Sequence, residues 1–165
     1  MIRARVRSFV LLSMLLGLAL GVLLAGCGAG TASTHAPSAT ATASPAPVLL
    51  IKVKTVTVAR KRMQVLGDLK GKTLYYFKPD TSTTVTCTAS CAQLWPPLLA
   101  PQGMPTAASP LSGQLNIIAG ADGRQVTYNG HPLYTYSKDG DAADAYGQGI
   151  GGQWYVATPD LAAAS

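Results

Sequence analysis

Few side chains in this chain of 165 residues are equipped for chemistry, and their spacing limits what they can do. Asp139, Asp141 and Asp144 lie close together and offer hard oxygen ligands of the kind that hold Ca²⁺. No Asp or Asn fills the third slot of an EF-hand loop and no Glu closes it, so a solvated Asp-Gly turn is the main expectation and a metal site the minor one. His131, Met63 and Met104 are copper-type donors, but nothing in the sequence draws them together, and His35 reads as a solvated spacer residue. Cys87 and Cys91 are four apart, without the Cys-x-x-Cys spacing of a redox pair and without a neighbouring histidine. In an exported chain an even pair is expected to oxidise to a disulfide. Helix positions four apart hold their Cβ atoms about 5–6 Å apart, whereas a disulfide needs about 3.5–4.5 Å. Cys87 is therefore expected before a helix and Cys91 in its first turn. Glu is absent, and no Ser or Cys nucleophile has an identifiable base and orienting partner. The expectation is a protein that is not an enzyme and carries no cofactor.

The strongest pattern is a ten-residue phrase used twice. Gly71-Lys72-Thr73-Leu74-Tyr75-Tyr76-Phe77-Lys78-Pro79-Asp80 returns as Gly130-His131-Pro132-Leu133-Tyr134-Thr135-Tyr136-Ser137-Lys138-Asp139, and Trp95 and Trp154 follow at matched distances. Strand alternation puts Tyr75 and Phe77 on one face, and Tyr134 and Tyr136 on the equivalent one. Trp95 and Trp154 are expected to plug the core of their own halves. The sharper reading makes these aromatics, with Asp80 and Asp139, a binding face for a sugar, peptide or cofactor ring.

The N-terminus reads as an address. Arg3, Arg5 and Arg7 precede the apolar run Phe9–Leu24, so residues 1–26 look like a signal peptide. Leu24-Ala25-Gly26-Cys27 has the form of a lipobox, with Cys27 the lipidated first residue of the mature chain. Cleavage would remove three of the 13 Lys and Arg, leaving 10 against 7 Asp. That mild positive charge suits an anionic envelope and is no nucleic-acid footprint. Residues 27–47 form an Ala/Ser/Thr/Pro tether too poor in apolar side chains to fold, with a reach of about 25 Å. The domain is expected over 48–160, with copy one over 64–98, copy two over 123–158 and a tail over 161–165.

Strands are expected at Val48–Val58, Met63–Leu66, Leu74–Phe77, Leu115–Ala119, Gln125–Tyr128, Leu133–Tyr136 and Gln153–Ala157. Asn129-Gly130 is a hairpin signal, and Asp122-Gly123 a second turn. One short helix is expected over Thr86–Trp95, capped by Thr86 or Thr88 and stopped by Pro96-Pro97. Leu98–Ser112 reads as the loop joining the halves. Gly147–Gly152 fits a phosphate loop poorly, because a strand follows it rather than a helix. The fold class is mainly β: two pseudo-repeated halves packed as one small domain with one short helix, each half being small for an independent core.

Both phrases fit Y-x-[FWY]-x-x-D. With Cys87-x3-Cys91, Trp95-Pro96-Pro97-Leu98, Asn129-Gly130-x-Pro132-Leu133-Tyr134 and Gly149-x-Gly151-Gly152-x-Trp154, the chain resembles the secreted-repeat lipoproteins with the Y-x4-D motif. The resemblance covers residues 64–158 and implies an address and a repeat, with no assigned catalytic residues. Copy two departs from copy one at Tyr146 and Ile150, which stand opposite Cys87 and Cys91. The expected function is an extracytoplasmic, lipid-anchored binding or structural module. Its partners are membrane lipid through Cys27 acylation and a cell-envelope protein or glycan, not nucleic acid. The alternative is a redox- or metal-associated envelope protein using Cys87/Cys91 or the Asp139/Asp141/Asp144 cluster.

Overall fold

The computed structural model describes residues 45–164; the signal sequence, Cys27, His35 and most of the tether lie outside the described residues. Strands β1 (Val48–Val58) and β2 (Lys61–Asp68) form a hairpin. Its two-residue turn, Ala59-Arg60, has positive φ at both positions, the conformation that matches the right-handed twist of the strands. Strand β3 (Tyr75–Phe77) follows, then helix α1 (Ser90–Leu94) and strand β4 (Pro105–Ala107). Strands β5 (Leu115–Gly120), β6 (Gly123–Tyr128) and β7 (His131–Pro132) make a meander, and β8 (Trp154–Val156) ends the series. The sheet orders are β2-β1-β4, β3-β8 and β5-β6-β7. Among the described residues no helix is long and apolar enough to cross a membrane.

The chain is mainly β with one short helix, as expected, and the differences have local causes. β2 runs longer than Met63–Leu66 because Gly67 and Asp68 remain paired with Lys52 and Ile51. The loop Leu98–Ser112 contains β4, which lies parallel to the start of β1; Pro, Gly and Ala dominate its sequence and hide a strand held by backbone pairing alone. The helix is shorter than Thr86–Trp95, and no side chain caps it. The Thr86 N–H and hydroxyl turn away to Asp80. Leu133–Tyr136 is mostly too irregular for a strand, with Tyr134 bridging to Tyr75 on one side and to Pro97 on the other. Proline has no N–H to continue that ladder. The second turn is Ala121-Asp122, with Gly123 already paired in β6. Residues 161–164 lie against the Asn129 turn: the Ala164 N–H donates to the Asn129 carbonyl at 2.9 Å, and the Asn129 amide to the Leu161 carbonyl at 2.7 Å.

Two apolar cores lie on opposite sides of a central layer. One gathers Val56, Val65, Tyr75, Cys87, Trp95, Tyr134, Tyr136, Trp154 and Val156. The other gathers Ile51, Leu66, Leu74, Ala100, Val126, Tyr128, Leu133 and Ala157. Strand alternation explains the split: Leu74 and Leu133 enter one core while the next residues, Tyr75 and Tyr134, enter the other. Strand β1 serves both, giving Ile51 to one core and Val56, of opposite parity, to the other.

Candidate functional site

The repeated phrases meet at one place. The Tyr75 N–H donates to the Tyr134 carbonyl at 2.8 Å, and the Tyr134 N–H returns to the Tyr75 carbonyl at 2.9 Å. This reciprocal pair relates the two copies by an approximate twofold. The side chains then cross over. The Tyr75 hydroxyl donates to Asp139 Oδ2 at 2.7 Å, and the Tyr134 hydroxyl to Asp80 Oδ2 at 2.5 Å. Each tyrosine of the Y-x4-D motif therefore bonds the aspartate of the other copy.

The backbone crosses in the same way. β8, the strand of the second tryptophan, pairs with β3 of copy one, Phe77 opposite Trp154. Pro97, after the first tryptophan, bridges to Tyr134 of copy two. The bonds match one for one: Ala157 N–H to the Leu74 carbonyl and Leu98 N–H to the Leu133 carbonyl, then Lys78 N–H to Gln153 and Ser137 N–H to Leu94. Both members of each pair of bonds are displaced by the spacing of the repeat. Each tryptophan segment thus docks on the other copy. Trp95 and Trp154 do not plug separate halves, as the sequence suggests, but stack on each other with centroids 3.7 Å apart and planes 1° apart. Tyr136 stacks on Trp95, and Phe77 on Trp154.

The electrostatics follow from burial. Asp139 and Asp80 are among the few buried charged side chains, at 1% and 4% exposure. Asp80 Oδ1 accepts the Thr86 N–H and hydroxyl at 2.7 and 2.6 Å, and Asp139 Oδ1 accepts the Tyr146 N–H at 3.0 Å. Burial pushes the Asp139 carboxyl above the ordinary range, against the opposing pull of its bonds from Tyr75 and Tyr146. Burial, then the bonded carboxylate, pushes both tyrosine hydroxyls far above their ordinary value. Lysine amines staple the loop after Asp139 from outside: Lys72 Nζ donates to the Asp139 carbonyl, and Lys54 Nζ to Gly71 and Ala142. Desolvation lowers the Lys54 pKa.

The eight repeat residues named from sequence, Tyr75, Phe77, Asp80, Trp95, Tyr134, Tyr136, Asp139 and Trp154, are thus brought together, with all but Phe77 buried. Together they are an interior, with no open face for a ligand. The acidic cluster does not converge. Asp139 faces inward, Asp144 Oδ2 accepts the Gly140 and Asp141 N–H groups, and Asp141 Oδ1 accepts the Ala143 N–H. Among the described residues no group of three or more His, Cys, Asp or Glu is arranged to hold a metal ion. Cys87 and Cys91 form a disulfide with Cα atoms 5.2 Å apart, Cys87 just before α1 and Cys91 in its first turn, as the spacing predicts. Cys87 packs in the aromatic core and Cys91 against it. Ile150, which stands in copy two where Cys91 stands in copy one, packs against the same core without a disulfide.

Gly147 is a residue whose role the sequence conceals. A Cβ there would lie 2.7 Å from a Tyr75 ring carbon and 2.8 Å from Trp95 Cη2, so only glycine lets the loop close over the core. The glycine run that imitates a phosphate loop is in part this close approach. Sequence reasoning also passes over Tyr76, Tyr155 and Lys78, and weighs His131 only as a copper donor; the four lie together beside β3 and β8. The Tyr76 and Tyr155 rings are 6.0 Å apart, His131 lies 4.7 Å from Tyr76, and the Lys78 amine stands 5.5 Å from the Tyr155 centroid.

A family model described as a secreted repeat of unknown function matches residues 54–99 and 116–158, two copies that together span more than half of the chain. The matched copies begin earlier than 64 and 123 and take in most of the β1–β2 and β5–β6 hairpins. No curated protein and no solved structure matches the chain.

Proposed function

The chain belongs to this family of secreted repeats, which sets it outside the cytoplasm, and from that premise we propose that it is a lipid-anchored binding or structural module of the cell envelope. One observation carries the reading. The side chains that the two copies share, and that are best equipped for chemistry, are all committed to holding the copies together. Tyr75 and Asp139, with Tyr134 and Asp80, are partnered in the interior, so the motif makes a rigid body rather than a reaction centre. The protein is not an enzyme in this reading. Its partners are membrane lipid, through acylation of Cys27, and an envelope protein or glycan met by the outer surface. A redox or metal role has less support, since Cys87 is buried and the carboxylates of Asp141 and Asp144 are turned onto their own loop.

The test is the Cys27→Ser variant, expressed with its own N-terminus. The wild type is expected in the membrane fraction, with a mass exceeding that of the polypeptide beginning at Cys27 by its acyl groups. The variant is expected to leave that fraction. A wild type without added mass, and a variant that stays with the membrane, would replace the lipid anchor with an uncleaved helix.

A further inference from the structure

The approximate twofold supplies an internal control that a single domain rarely offers. Positions related by it carry the same backbone pairing, so a difference between them is one the pairing does not require. On one outer face, β3 and β8 present Tyr76 and Tyr155 side by side, flanked by Lys78 and His131. The related positions on the other face are Thr135, Pro96, Ser137 and Lys72. The backbone there is bonded in the same manner, with the Thr135 N–H donating to the Pro96 carbonyl at 2.8 Å. The fold therefore tolerates a small polar residue and a proline where the first face has two tyrosines.

The chemistry of the patch is specific. Its tyrosines are half-buried, so each keeps ring surface toward water. Lys78 is exposed, and its amine lies over the Tyr155 ring, bonded to no acceptor among the described residues. His131 is anchored by an Nε2–H donated to the Ala162 carbonyl at 3.1 Å, and burial lowers its pKa, so it adds an aromatic surface and no charge at neutral pH. Asp80, two residues from Lys78, is buried and bonded to Tyr134 and Thr86. The four side chains of the patch thus carry one positive charge and none of the opposite sign.

We propose that Tyr76, Tyr155, His131 and Lys78 form a binding surface for an acidic polysaccharide. The flat C–H face of a sugar ring packs on the tyrosine rings, and its hydroxyls stay free to bond at the edge. The Lys78 ammonium meets the carboxylate of the sugar as a compact point charge. The proposal rests on the binding-module reading and names the ligand class for it.

The experiment measures binding of the full exported chain, in detergent micelles, to alginate and to dextran as the uncharged control. Alginate is expected to bind and dextran not to. Lys78→Gln and Tyr155→Leu should each weaken alginate binding at least about tenfold, a loss of about 1.4 kcal/mol. Thr135→Val, on the related face, should leave it unchanged. Added salt should weaken the wild type more than Lys78→Gln. Failure of alginate to bind overturns the proposal, as does equal binding of dextran or binding indifferent to Lys78→Gln. The exposed Lys78→Gln decides the matter should Tyr155→Leu fail to fold. The Cys27→Ser fractionation is read separately, so loss of the glycan surface and loss of the anchored-module reading are distinguishable.

Discussion

The crossed tyrosine–aspartate pairs predict a pattern of energetic coupling that pairing within each copy would reverse. Tyr75→Phe removes one of the two protein donors to the Asp139 carboxylate and leaves only the Tyr146 N–H. Tyr134→Phe removes one of three donors to Asp80 and leaves both bonds from Thr86. A hydrogen bond to a charged group contributes about 1.5–3 kcal/mol. The less compensated site should lie at the upper end, so Tyr75→Phe is expected to cost about 3 kcal/mol and Tyr134→Phe about 1.5 kcal/mol. Double-mutant cycles then locate the partners. Tyr75→Phe with Asp139→Asn, and Tyr134→Phe with Asp80→Asn, should each show coupling of about 1–2 kcal/mol. Tyr75→Phe with Asp80→Asn should be additive within about 0.5 kcal/mol. Urea unfolding under oxidising conditions gives these values if the slope stays constant, a loss of 3 kcal/mol appearing as a midpoint lower by about 1–2 M. Stronger coupling within a copy than across copies would refute the interlocked arrangement.

Four further outcomes follow from the same core. Tyr75 and Tyr134 have hydroxyls pushed far above their ordinary value, so the folded state holds protons that the unfolded state loses above about pH 10. Stability is intact below that pH and falls as pH rises beyond it, by about 1.4 kcal/mol per pH unit for each hydroxyl. In an absorbance titration of the 7 tyrosines, two should stay silent until the protein unfolds. For Asp139 the raised carboxyl gives a contribution present below about pH 4 and lost as pH rises through its folded value, and Asp139→Asn should abolish that step in stability measured against pH. Replacing Cys87 and Cys91 together by Ala opens a small loop and should cost about 2 kcal/mol, read from the urea midpoint. Gly147→Ala drives a methyl into Tyr75 and Trp95 and should cost about 1–3 kcal/mol, whereas Gly149→Ala meets no atom within 4 Å and suffers only its φ of 80°.

Much of the fold is legible because it is local. The alternation of Val48–Val58, the Asn129-Gly130 turn and the four-residue spacing of the cysteines each report on their own neighbourhood, and each has its expected form. What escapes is held by distant backbone. β4 has no apolar alternation to announce it and exists because it lies against β1. The Thr86 hydroxyl is a sound cap by type, yet a buried aspartate six positions earlier claims it. Lys54 looks like a solvated strand residue until its amine reaches Ala142 across the molecule.

The interlocking is illegible for a deeper reason. Two copies of one motif present two tyrosines and two aspartates of the same chemistry, so the sequence cannot distinguish a tyrosine bonded to its own aspartate from one bonded to its neighbour's. Only the path of the chain settles it, and β8 lying against β3 sends the second tryptophan segment to the first copy. From that single exchange the rest follows: the indoles must meet face to face, the carboxylates must be reached from across the twofold, and neither copy retains a complete core of its own. The motif therefore recurs as a pair because one copy supplies half of each contact. The outer positions of the same strands are released from that requirement, which is why Tyr76 and Tyr155 can differ from Thr135 and Pro96 while the backbone pairing stays the same.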